Sequence, residues 1–108
     1  MKYYLYIGRF QPFHKGHEAF VKKFLDAGKP ICVAIRDTKM SKDNPHTYKE
    51  RKKMVRKAFG GNNLLKIITI PDIEGVVYGR KVGYGVHEIR LDPGIEAISA
   101  TNIRNKKK

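Results

Sequence analysis

The residues best suited to chemistry stand in one run, Gly8-Arg9-Phe10-Gln11-Pro12-Phe13-His14-Lys15-Gly16-His17. Histidines three positions apart share one face of a first helical turn. A helix start leaves backbone N–H groups unpaired and carries partial positive charge, so an anion placed against it is held by main chain and side chains together. Gly16, between the two imidazoles, removes the side chain that would keep a polyphosphate at a distance. The run reads as a phosphate-binding corner. Histidines, arginines and a helix N-terminus are on offer, without a conspicuous pair of carboxylates.

Periodicity supplies the elements that must position this corner. Residues 3–7 form a β-branched and aromatic strand ended by Gly8. Over residues 15–27, Phe20, Val21, Phe24 and Leu25 recur at helical spacing, and Gly28 with Pro30 signals the stop. Residues 31–35 are continuously apolar, as in a parallel strand covered on both faces. After a polar loop, Thr47 and Glu50 have the spacing of a capping box that opens a helix over residues 48–59, broken by Gly60 and Gly61. Residues 64–70 make a third strand, closed by Pro71-Asp72, and residues 76–78 and 86–91 read as two more. Ser99 has the character of an N-cap for a terminal helix, and residues 105–108 read as a frayed tail.

Alternating strands and helices predict an α/β fold: a Rossmann-like, open, mostly parallel sheet of about five strands flanked by helices. In such sheets ligands bind beyond the carboxyl ends of the strands, where Gly8, Arg36, Asp72 and Gly79 fall. The chain's 108 residues are expected to form a single domain. Lys+Arg 23 against Asp+Glu 10 leaves a net charge of +13, which draws polyanions. The lone cysteine, Cys32, sits in an apolar run and permits no disulfide within the chain, which suits a reducing cytoplasm. The N-terminus is too short and polar for a signal peptide or a span, so no membrane partner is expected.

The string GRFQPFHKGH resembles the H-x-G-H signature of the nucleotidyltransferase superfamily, and GRFQPF is similar to the archaeal-type nicotinamide mononucleotide adenylyltransferases. ISATNIR at 98–104 resembles the superfamily's second motif, with Ala100 where Ser or Thr is usual, and DNPHTYKER at 43–51 is similar to a DNPFTAGER-like segment. The three motifs occur in the family's order over nearly the whole chain. The stretch 71–95 is compressed beside those enzymes, and tryptophan, often stacked on nicotinamide in relatives, is absent; Tyr78 and Tyr84 are the candidate substitutes.

The resemblance implies a cytoplasmic enzyme that transfers AMP from ATP to a phosphate-monoester acceptor, most closely nicotinamide mononucleotide, with release of pyrophosphate. It implies His14, His17 and Arg104 as catalytic, and Gly8, Arg9, Phe10, Gly16, Arg51, Ser99 and Thr101 as nucleotide-binding. Magnesium is expected on the ATP phosphates, since the sequence offers no acidic cluster for a protein cage. A homo-oligomer is expected because relatives assemble. Two alternatives compete. One is a cytidylyltransferase or another member with a different phosphorylated acceptor; the other is a basic nucleic-acid-binding module, although no specific nucleic acid is expected. Arg51 has a plainer reading, a partner of Asp or Glu on a solvated face, and Lys49, Lys52, Lys53 and Lys57 read as solvated surface.

Overall fold

A computed structural model describes residues 1–79 and 85–87. The described elements alternate as the periodicity requires: β1 (Tyr4–Gly8), α1 (Lys15–Asp26), β2 (Ile31–Asp37), α2 (Tyr48–Phe59) and β3 (Leu65–Pro71). The strands form a parallel sheet in the order β1-β2-β3, with Tyr6 opposite Val33 and Val33 opposite Ile67. This is the predicted Rossmann-like α/β arrangement.

β2 is the middle strand, and residues 31–35 are all buried, which is why its sequence is an unbroken apolar run. Ile31, Val33 and Ile35 point to one face with Leu65 and Ile67, where Val21 and Phe24 of α1 and Val55 of α2 pack on them. Each fully buried aliphatic side chain there stabilises the fold by roughly 1.5–3 kcal/mol relative to exposure. On the same face, the Tyr6 ring stacks on Phe20 at 4.1 Å and Tyr4 tilts against Phe24 at 5.0 Å.

Both helices begin on reciprocal side-chain caps. In α2, the Glu50 N–H donates to Thr47 Oγ1 and the Thr47 N–H donates to Glu50 Oε1, both at 3.1 Å. The hydrogen bond from the Thr47 backbone, then that with its hydroxyl, holds the Glu50 carboxyl below the usual range. The chain leaves α2 through Gly60 at φ 62°, a conformation glycine adopts without cost.

The sheet departs from expectation after β3. Residues 76–78 are described and lie outside the sheet. Only residues 72–75 separate them from Pro71, whereas a parallel neighbour needs a crossover of roughly a dozen residues to bring the chain back to the strands' starting end. Val86 and His87 are likewise in no strand, although the His87 ring meets Tyr4 of β1 at 5.7 Å. The remainder of the expected 86–91 strand, and the terminal helix at Ser99, lie outside the described residues. Among the described residues, no helix is long and apolar enough to cross a membrane.

Candidate phosphate-binding site

The turn from β1 into α1 is built by aromatic packing under a glycine. Phe10 has φ 53° and is 2% exposed, turned back so that its ring lies beside Gly8; a Cβ on Gly8 would stand 2.8 Å from that ring. The Gln11-Pro12 bond is cis. Phe10, Phe13 and Tyr6 then surround His17, with Phe10 edge-on at 4.9 Å and Phe13 stacked at 5.5 Å.

His14 is the N-cap of α1 and His17 the third residue inside it. Their rings stack with centroids 3.7 Å apart and planes within 17°. The Gly16 N–H donates to His14 Nδ1 at 3.0 Å, and the His14 N–H donates to His17 Nδ1 at 3.2 Å. Each Nδ1 is therefore an acceptor. A neutral imidazole that accepts at Nδ1 carries its proton on Nε2, so the backbone fixes both rings as Nε2–H donors.

Burial among the aromatic rings, then repulsion from His14, pushes the His17 pKa down to about 3. His14 is lowered too, by burial, against a backbone hydrogen bond that raises it. Without ligand at neutral pH, the pair thus offers oriented hydrogen-bond donors rather than two cations. The sequence reading placed an anion directly on the helix N–H groups; the structure shows the Gly16 N–H already taken by an imidazole. The positive end of α1 reaches outward through that ring.

Positive charge comes from Arg9. Its Nη1 donates to Asn44 Oδ1 at 3.1 Å, a neutral partner, and among the described residues no carboxylate pairs with it. Arg36, at the carboxyl end of β2, is paired with Asp72 at 2.6 Å.

Arg51 overturns its plainer reading. It is 1% exposed, and its partners are carbonyl oxygens: Nη1 donates to Arg9 O at 2.9 Å and Arg36 O at 2.6 Å, and Nε to Thr47 O at 3.2 Å. One guanidinium thereby joins the β1–α1 turn, the end of β2 and the cap of α2. Burial lowers its pKa, opposed first by the nearby Asp37 and then by Tyr48.

The structure thus gathers Gly8, Arg9, Phe10, His14, Gly16, His17 and Arg51 around one turn; Phe10 and Arg51 take part through packing and main-chain contacts. Ser99, Thr101, Arg104 and Tyr84 lie outside the described residues, and Tyr78 is 64% exposed. Sequence reasoning passed over Gln11, Asn44 and His46, whose contacts fasten the turn to the loop after β2. Their one sequence signal is polar residues inside otherwise recognisable motifs. Among the described residues, no group of three or more His, Cys, Asp or Glu gathers as a metal site.

Comparison with known proteins places this site in context. Residues 5–78 match the family described as cytidylyltransferase-like. The chain is 29% identical over 100 residues to the nicotinamide-nucleotide adenylyltransferase of Methanosphaerula palustris, covering 90% of this chain and 56% of that protein. It is 32% identical over 101 residues to the protein of the same name from Methanocorpusculum labreanum, covering 91% and 57%. To that of Ignicoccus hospitalis it is 41% identical over 75 residues, covering 64% and 44%. The chain therefore spans about half the length of these relatives. No solved structure gives a significant match.

Proposed function

The chain belongs to the cytidylyltransferase-like family, and from that premise we propose that it is an adenylyltransferase joining ATP to a phosphate-monoester acceptor, nicotinamide mononucleotide, to give NAD and pyrophosphate. The observation that carries this reading is the stacked His14–His17 pair, whose Nδ1 atoms are held by backbone N–H groups. Two fixed N–H donors on the turn that also carries Arg9, which no carboxylate pairs with among the described residues, suit a polyphosphate. The relatives' name supplies the acceptor.

In the reaction, an acceptor phosphate oxygen bonds to the α-phosphorus of ATP as the oxygen bridging the α- and β-phosphorus departs with pyrophosphate. A phosphate monoester's second pKa is about 6, so the nucleophile is largely ionised at neutral pH and needs no base. The chain's task is to hold two anions in line and to stabilise charge on the equatorial and leaving oxygens. His17 Nε2–H serves the α-phosphate and His14 Nε2–H its neighbour. Arg9 contacts the same tail, and Ser99, Thr101 and Arg104 take the β- and γ-phosphates. Arg51 and Phe10 hold the turn in shape from behind. Magnesium fits this arrangement as an ion carried by the triphosphate oxygens, where it would supply further charge neutralisation. We also propose a cytoplasmic homo-oligomer acting on no specific nucleic acid, with light scattering to read the assembly.

The test is pyrophosphate release from ATP and from CTP across a panel of phosphorylated acceptors. Release from ATP with nicotinamide mononucleotide, yielding NAD, is expected. Release supported by CTP alone would overturn the base assignment. No turnover, together with steeply salt-dependent binding of RNA or DNA, would favour the nucleic-acid-binding alternative.

A further inference from the structure

Gln11 is 1% exposed, in a turn whose neighbours are aromatic. Burying a carboxamide is unfavourable unless its donors and acceptor are matched. Here the match is made by the backbone of one residue 35 positions away. Gln11 Oε1 accepts the His46 N–H at 2.9 Å, and Gln11 Nε2 donates to the His46 carbonyl at 3.0 Å. Nε2 also lies 3.2 Å from Thr38 Oγ1. The exchange of both N–H···O bonds with a single residue is what paired strands do. In Gln11, a side chain does it.

We propose that Gln11 is a positioning residue that fixes the β1–α1 turn against the β2–α2 loop, so that the two walls at the carboxyl ends of β1 and β2 move as one unit. The inference rests on the reading above, because that crevice is where the substrates are placed. The loop, residues 38–46, runs from the end of β2 to the cap of α2 and has no strand partner among the described residues. Among the described residues its ties to the turn include the Gln11 pair with His46, the Gln11–Thr38 contact and the Arg9–Asn44 bond, and Arg51 fastens its two ends. Gln11 lies three residues before His14, so the loop's position is transmitted along a short, packed backbone to the imidazole pair. Glutamate has the same shape but, when ionised, cannot donate to the His46 carbonyl. Valine in place of Thr38 removes one contact at nearly constant volume.

The test compares Gln11→Glu and Thr38→Val with the unmodified chain. Both variants are expected to stay folded by circular dichroism. At pH 8 Gln11→Glu should lose about tenfold to a hundredfold in kcat/KM, the scale of a misplaced reacting group, and Thr38→Val should lose less in the same direction. Towards pH 6 Gln11→Glu should recover part of that loss, as a protonated carboxyl again donates to His46; the unmodified chain should show no such recovery. Without ligand, the His46 amide should exchange faster in Gln11→Glu, and the His14 and His17 ring resonances should shift. Unchanged kinetics in folded Gln11→Glu, or unchanged His46 protection, would overturn the proposal. So would unfolding of both variants, because a residue required by the whole fold is no local clip. Should the unmodified chain transfer nothing to any acceptor, the proposed function fails, and the ligand-free amide comparison still decides the role of Gln11.

Discussion

His17 concentrates the competing demands of the site. The proposed function asks it to meet an anion, yet burial among rings that include Phe10 and Phe13 lowers its pKa from 6.5 to about 3. A nuclear magnetic resonance titration of the ligand-free protein should find its ring neutral down to about that pH, with the proton on Nε2. Bound triphosphate should raise the value, because an adjacent anion favours the charged form. The same shift makes stability pH-dependent. Between the two values the unfolded chain binds more protons than the folded one, so the His17 contribution is complete above about 6.5 and is lost as pH falls towards 3. His17→Ala is expected to lower kcat by roughly a hundredfold or more, as removal of a transition-state donor does, while ATP binding weakens less. Weakened ATP binding with an unchanged kcat would place His17 in ground-state binding alone. A second residue-scale expectation concerns Gly8. Its alanine variant would put a methyl 2.8 Å from the Phe10 ring, and overpacking of this kind costs about 1–3 kcal/mol. Denaturant midpoints would show it, with Gly61→Ala as the neutral control, since nothing lies within 4 Å of a Cβ there.

At the scale of elements, the site depends on how two helices begin. α1 is capped by His14, an unusual choice beside the Ser, Thr, Asp and Asn that normally fill the position. In the proposed function that choice serves two ends, because the ring that satisfies the helix through Nδ1 leaves Nε2–H for a ligand. α2 is capped in the ordinary way, and Thr47→Ala should cost about 1 kcal/mol in chemical denaturation. Arg51 binds the elements together. Replacing it with methionine keeps bulk but strips hydrogen bonds from the carbonyls of Arg9, Arg36 and Thr47. A loss of roughly 3 kcal/mol or more is expected, larger than for the cap, because several charge-assisted bonds disappear at once. A smaller loss than Thr47→Ala would refute the bridging role.

At the scale of the molecule, a charge of +13 on 108 residues is a standing repulsion. Added salt shortens the screening length to about 8 Å at physiological ionic strength, so the melting temperature should rise as sodium chloride is added from low concentration. A flat or falling response in scanning calorimetry would mean that the charges are already compensated in the fold. The same excess charge should speed capture of anionic substrates and make that capture salt-sensitive.

The sequence by itself determined the alternation of elements, the strand covered on both faces and the place of the histidine-bearing turn. Those rest on local signals: apolar period, capping residues, glycine stops and the H-x-G-H spacing. It also marked Thr47 and Glu50 as a cap that the structure reproduces. Only the tertiary structure decided the rest. Arg51 looks like any exposed helix arginine until α2 packs against the ends of β1 and β2, where the carbonyls of Arg9 and Arg36 converge on its guanidinium. Residues 76–78 have strand-like composition, yet a four-residue link from β3 cannot deliver them to a parallel neighbour. The protonation of His14 and His17 was hidden for a related reason: it is set by how the turn folds the rings of Phe10 and Phe13 around His17 and by which nitrogen the backbone occupies, and neither is written in the spacing of the histidines.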